Sequence, residues 1–147
     1  MINLTGMKEL LRKLNYKEYN RILIMNAGED FLQSLSDELP DVKIDTEIDQ
    51  RCPYNFMIIF VKSVREVNDI SPVALHNLTA DGVLWYCYPK KTSKKLTSDL
   101  ERDRGWKSMN DLGFYGIRMV SVDEDWSAMR FRNVKYIKSQ SGRIPGQ

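Results

Sequence analysis

The sequence predicts one three-layer α/β domain, a central and mostly parallel sheet with helices on both faces. Three observations carry this. Asn55–Lys62 (NFMIIFVK) and Val83–Tyr88 (VLWYCY) are continuous apolar runs, the pattern of strands covered on both sides. Val64–Leu78 between them has helical spacing, which makes a β-α-β unit. Upstream, Arg21–Met25 (RILIM) is another short apolar run, followed by the turn Asn26-Ala27-Gly28 and a helical stretch Glu29–Leu39 ending at Pro40.

The remaining elements follow the same logic. Leu4, Met7, Leu10, Leu11 and Leu14 recur at helical spacing, so residues 5–15 read as an amphipathic helix with Thr5 as its N-cap. Val42–Ile48 alternates and reads as a second strand. Pro72 falls inside the Val64–Leu78 helix, where it predicts a kink, and Asp81-Gly82 marks the helix end. Thr97–Leu112 reads as a helix weakened by Gly105 and closed by Gly113. Ile117–Val122 and Ser127–Phe131 are the last two strands, close enough for an antiparallel pair. The domain is expected over residues 1–138, with 139–147 a polar, flexible tail.

Composition narrows the function classes. A chain of 147 residues with 42% hydrophobic and 29% charged residues is ordinary for one globular domain. A net charge of +2 does not call for a nucleic-acid partner. The two cysteines, Cys52 and Cys87, and the single histidine, His76, are too scattered for a metal site. Cys87 lies within an apolar run and reads as a buried thiol. The N-terminus lacks a signal-peptide pattern and no apolar run reaches membrane-spanning length, so a cytoplasmic protein without a membrane partner is expected.

The candidate site sits where open α/β sheets place ligands, beyond the carboxyl ends of the strands. Asn26 leaves the first strand and Lys62 leaves the third. Tyr88-Pro89-Lys90-Lys91-Thr92-Ser93-Lys94-Lys95 leaves the fourth, directly ahead of the expected Thr97 helix. Free N–H groups at that helix start, with Lys90, Lys91, Lys95, Thr92 and Ser93 nearby, would suit an anion. Asp99, Arg102 and Asp103 would share one face of the same helix, where an ordinary surface ion pair is the simpler reading. His76 has no partner at catalytic spacing, and no nucleophile–base pair is evident.

NFMIIFVKS resembles the central strand of class I methyltransferases. LHNLTADGVLWYCYPK is similar to their helix, glycine turn and following strand, with Asp81-Gly82 at the glycine positions. YPKKTSKK together with VDEDWSAMRFR resembles a family of short bacterial, methyltransferase-like proteins of unknown function. The resemblance, over about residues 20–135, implies a reduced Rossmann-like sheet of the methyltransferase type. Its strands, numbered along the chain, would run 2-1-3-4-6-5 with strand 6 antiparallel. It also implies S-adenosylmethionine, held by an acidic-x-Gly-x-Gly turn after the first strand and by an acid ending the second.

Here the departures begin. The first strand ends in Met25-Asn26-Ala27-Gly28-Glu29-Asp30, with one glycine. The ribose acid could be Asp45, Glu47 or Asp49, and the stretch from Asp45 to Asn55 is too short for the family's intervening helix and strand. The cofactor is therefore disfavoured. The expectation is a non-catalytic binding or regulatory domain with an anion-binding crevice at Asn26, Lys62 and Tyr88–Lys95. The alternatives are a divergent S-adenosylmethionine-dependent methyltransferase and a protein–protein module that forms a homo-oligomer.

Overall fold

The computed structural model describes residues 4–137, so the tail expected at 139–147 lies outside the described residues. The elements run α1 (Leu4–Lys13), β1 (Arg21–Met25), α2 (Glu29–Glu38), β2 (Lys43–Asp45), β3 (Tyr54–Phe60) and α3 (Val64–His76). They continue with β4 (Leu78–Pro89), α4 (Lys107–Asp111), β5 (Phe114–Ser121) and β6 (Trp126–Asn133), then a 3-10 turn at Val134–Tyr136. Six strands form one sheet in the order β2-β1-β3-β4-β6-β5. β2, β1, β3 and β4 are parallel, and β6 is antiparallel to both neighbours. The chain has the reduced methyltransferase-like α/β fold that its sequence predicts.

Alternate side chains of the central strands divide the core in two. Ile22, Ile24, Phe56, Ile58, Phe60, Trp85 and Cys87 meet Met7, Leu10 and Leu11 of α1, Leu14 just beyond it, and Leu35 of α2. On the other face Leu23, Met57, Ile59, Leu84, Tyr86 and Phe131 meet Val67 and Ala74 of α3, Met109 of α4, and Trp106. This is the period-two alternation of a strand, realised inside a run with no polar residue to mark it. α1 begins at Leu4, so Thr5 lies inside the helix rather than capping it. The C-terminal end of α1 is tied down by the Trp85 indole, which donates to the Leu14 carbonyl at 2.8 Å. That bond satisfies a helix-end acceptor and a buried donor together.

Two expectations about β4 and α4 are corrected. Asp81-Gly82 does not end a helix ahead of β4; it lies within the strand. β4 starts at Leu78 opposite Tyr54, while Val83 already faces Phe56, so residues 79–82 bulge out of the ladder. Asp81 takes a left-handed φ of 55° there, and the carboxylate receives both arms of Arg132 at 2.7 Å. The second correction is larger. Thr97–Leu112 is not a helix, because α4 spans only Lys107–Asp111 and residues 90–106 are irregular apart from a small bridge between Glu101 and Arg104.

Gly105 explains much of this break. Its φ is +100°, and a Cβ there would lie 2.5 Å from Leu100 Cδ2 and 2.9 Å from Val64 Cγ2. The chain turns sharply at a position only glycine tolerates. It drops Leu100 and Trp106 into the core at 2% and 3% exposure, while the Trp106 indole donates to the Glu101 carbonyl at 2.7 Å. The helical spacing of Leu100, Trp106 and Met109 thus reflects burial by a folded-over loop and the short α4, while Leu112 stays exposed.

Ile58 lies at the centre of β3, fully buried. Ile58→Ala should cost about 2–5 kcal/mol in chemical denaturation, because neighbours covered on both faces cannot collapse into the cavity. A loss under about 1 kcal/mol would mean that β3 is not the centre of the sheet.

Candidate functional site

The sequence-predicted residues do not form one crevice. Asn26 and Lys62 line a cleft of about 350 Å3 with Gly28, Asp30, Phe60, Asp123 and Trp126. It opens at the carboxyl ends of β1 and β3, on the face covered by α1 and α2. Tyr88, Lys90 and Lys91 line a second cleft of about 300 Å3 with Leu100, Glu101 and Arg102. Tyr88 packs with the other core cluster, so this cleft opens on the opposite face. Thr92, Ser93 and Lys95 line neither.

The anion site expected at the lysine loop loses its main physical basis, because no helix starts there. Two of its four lysines are also occupied. Lys90 Nζ donates to Ser121 Oγ at 2.6 Å, and Lys91 Nζ pairs with Glu101 at 2.9 Å. Ser93 Oγ donates to Asp125 at 2.7 Å while accepting from the N–H groups of Lys95 and Leu96. The loop is a self-contained bracket between the β5–β6 turn and α3.

Its far end performs a task that the sequence did not reveal. Asp99 accepts the Val64 N–H at 2.9 Å, Ser98 Oγ donates to the Lys62 carbonyl at 2.7 Å, and Ser63 caps the Glu66 N–H. A carboxylate from this chain thus fills the anion position at the start of α3. Asp99 belongs to no helix, so the expected Asp99–Arg102–Asp103 surface is absent.

The start of α2 is different. Its N-cap, Gly28, supplies no side-chain hydrogen bond, and a Cβ at Gly28 would meet nothing within 4 Å. Asn26 ahead of it takes φ 61° and donates its amide to the Phe60 carbonyl at 3.2 Å, which joins the ends of β1 and β3. The cleft before this turn has an aromatic floor. Phe60 meets Phe31 edge-on at 5.1 Å and Trp126 at 5.0 Å. Asp30 and Asp123 stand on its walls with Lys62. Asp123 is held by the N–H groups of Asp125 and Trp126 at 2.8 and 2.9 Å. With Glu29 and Asp30 in the first turn of α2, the acids outnumber the lysine.

The acid at the end of β2 resolves one ambiguity. Asp45 is the residue placed on the strand, and its carboxylate is taken. Arg21 reaches it at 2.6 and 2.8 Å, and the Tyr54 hydroxyl donates to the same oxygen. Arg21 also binds Asp49 at 3.1 Å. Burial pushes Asp45 up, but the hydrogen bonds from Arg21 and Tyr54 and the Arg21 charge outweigh it, so its pKa lies below the usual range. Tyr54 is pushed up to about 12, by burial first and by Asp45 second. Residues 46–53 then cross beneath β1 with Ile48 and Cys52 packed against the core, anchored by Asn77 donating to the carbonyls of Asp49 and Cys52. Asp45 is thus engaged by Arg21, and the turn after β1 carries one glycine, Gly28.

Cys87 is 1% exposed, and burial raises its thiol pKa. Cys52 and Cys87 are both free. Among the described residues no group of three His, Cys, Asp or Glu is placed to hold a metal. None of the described helices is long and apolar enough to cross a membrane.

No protein-family model matches this chain, and no curated protein matches it by sequence. Solved structures do match in fold. An S-adenosylmethionine-dependent methyltransferase from Aquifex aeolicus aligns with a TM-score of 0.57 at 11% identity, over 84% of this chain and 87% of that one. A type 11 methyltransferase assigned in Sulfolobus solfataricus gives 0.52 at 9% identity, over 93% and 94%. Phosphoethanolamine N-methyltransferase 2 of Haemonchus contortus, solved with S-adenosylhomocysteine, gives 0.51 at 15% identity over 91% of this chain, which spans only 38% of that enzyme. These likenesses are to the fold.

Two outcomes test the site. Because Asp45 has a depressed folded pKa, its contribution is present above the unfolded value of about 4 and is lost as pH falls through the lower folded value. Asp45→Asn should therefore lower stability at neutral pH and flatten the loss of stability below about pH 4. Parallel stability–pH curves would show that the network contributes nothing. Second, a Lys90→Ala, Lys91→Ala double variant should respond to phosphate as the parent does, because both ammonium groups already have partners. A thermal shift with phosphate that vanishes in the double variant would restore the loop as an anion site.

Proposed function

We propose that the chain is a small-ligand-binding domain on a methyltransferase-like sheet, and that its site is the cleft between the β1–α2 turn and the β5–β6 hairpin. The observation that carries this is the pairing of an open cleft over an aromatic floor with a ribose-acid position already neutralised by Arg21. Phe31, Phe60 and Trp126 offer flat apolar surface. Asp30 and Asp123 favour an amine, while Lys62 can accept one negative group. The ligand chemistry is thus a planar or apolar body carrying an amine or a zwitterionic head. A simple anion suits this lining less well, because its acids outnumber Lys62. Neither His, Cys, Ser nor Thr lines the cleft, which favours binding over nucleophilic chemistry.

A second reading, a divergent S-adenosylmethionine-dependent methyltransferase, has two supports. The fold likenesses are to such enzymes, and Gly28 leaves open space before an uncapped helix start. The cofactor's methionine part is itself zwitterionic and would suit the cleft, but its ribose would lack a free carboxylate at Asp45.

Calorimetric titration with S-adenosylmethionine separates the two readings. The expected result is binding weaker than about 100 μM, whereas a Kd below about 1 μM would sink the first reading. A thermal-shift screen across nucleosides, amino acids and aromatic amines should then identify the ligand, since any ligand that binds only the folded state raises Tm. Trp126→Ala should abolish that response.

A further inference from the structure

The far end of β6 from this cleft, on the same face of the sheet, holds a cluster of arginines that the fold does not require. β5 and β6 pair with Arg118 directly opposite Arg130. Like charges directly opposite across an antiparallel pair destabilise the sheet. Arg130 lies two residues beyond buried Ala128 and therefore on the same face; its other cross-strand neighbour is Trp85, fully buried. Arg130 Nε is buried and has no hydrogen-bond partner among the described residues. Burial, Arg132 and Arg118 push the Arg130 pKa down, while Asp81 and Tyr19 pull it back. The only carboxylate in this set, Asp81, is already engaged by both arms of Arg132. Three guanidiniums and one carboxylate leave two positive charges uncompensated around a half-buried side chain.

We propose that this face of β5–β6, beside Tyr19, is a phosphate site in which Arg118 and Arg130 clamp a phosphate monoester or inorganic phosphate from adjacent strands. Arg132, fixed by Asp81, supplies the remaining positive field. The charge count selects phosphate. A dianion neutralises the two surplus charges, whereas one carboxylate leaves half of the surplus in place. Guanidinium geometry agrees, because each fork can give two parallel N–H donors to tetrahedral oxygens. The position agrees as well. Arg118 is exposed on the edge strand and can swing onto a ligand, while Arg130 is held by the sheet. Trp126 marks the ligand cleft at the opposite end of β6, so this site does not depend on the function proposed for that cleft.

The test is a titration of inorganic phosphate, followed by calorimetry and by Tm, against chloride at matched ionic strength. Saturable binding is expected. Arg118→Ala, on an exposed edge position that folding tolerates, should weaken it roughly tenfold or more. The Lys90→Ala, Lys91→Ala variant should bind as the parent does. Arg130→Met should abolish phosphate binding and keep or raise the phosphate-free Tm, since it removes a like-charge opposition; a purely structural arginine would instead lower that Tm. A nucleoside 5′-monophosphate distinguishes sources. Tighter binding than phosphate means that a phosphorylated metabolite is read, and equal binding means that the phosphate group alone is read; both support the site. The proposal is overturned if no saturable response exceeds the chloride control, or if Arg118→Ala binds phosphate like the parent. It is also overturned if Arg130→Met loses stability but keeps phosphate binding. A single-stranded oligonucleotide that binds through Arg118 where phosphate does not would overturn it in favour of a polyanion surface.

Discussion

The grip of Arg21 on Asp45 and Asp49 organises half of this molecule. The chain must return from the edge strand β2 to β3 across β1, and residues 46–53 must do so without a helix or strand of their own. A short extended crossing buries few apolar groups and would be a weak join if packing alone held it. Arg21 leaves the first residue of β1 and binds the last residue of β2 together with the middle of the crossing. Tyr54, the first residue of β3, bonds Asp45 from the other side and lies 5.8 Å from the Arg21 guanidinium. Three strands and their connection meet at one partly buried ion cluster. Partly buried, hydrogen-bonded clusters of this kind hold register where an exposed ion pair would not.

The same cluster has a functional consequence. A carboxylate at the end of β2 can hold the sheet together or receive a ligand's hydroxyls, and here its Oδ2 accepts from both Arg21 and Tyr54. Two structural positions that could bind ligands are thus filled from within the chain, Asp45 by Arg21 and the α3 start by Asp99. The start of α2 alone, among these three, stays open. It is also the place where aromatic side chains from α2, β3 and β6 converge. The sheet's own closures therefore direct the search for a ligand to one cleft.

The parallel core was legible because burial on both faces leaves an unbroken apolar run, and few other arrangements produce one. The strand order followed from the resemblance to class I methyltransferases, and the closeness of the last two strands agreed with an antiparallel pair. The loop after β4 was not legible. Leu100, Trp106, Met109 and Leu112 have helical spacing, yet Gly105 has a positive φ and Ser98 and Asp99 are recruited by the β3–α3 junction, a long-range bond that no local window contains. Asp81-Gly82 misled for a related reason. The pair is good turn chemistry, but here it makes a bulge, because Asp81 is drawn to Arg132, 51 residues away. Of the expected site, Asn26 and Lys62 converge, whereas Tyr88, Lys90 and Lys91 line the cleft on the other face. Alternation along β4 turns Tyr88 to that face, a detail that position at a strand end does not encode.

The arginines of β5–β6 look at first like part of the bulge's support, yet only Arg132 serves that role, since its two bonds to Asp81 satisfy both partners. Arg130 gains nothing comparable: its nearest strand neighbours are an indole and another guanidinium. A sheet selected for stability alone would place an apolar or acidic residue opposite Arg118, since either would relieve the repulsion. Retaining the opposition costs stability in the free protein, and that cost is returned only when an anion lies between the two strands. The two ends of β6 thus divide the labour. The hairpin end, through Trp126, closes an aromatic cleft with acidic walls, and the far end concentrates positive charge behind Tyr19. A ligand suited to one end would be repelled by the other, so the two sites would select different molecules on a single strand.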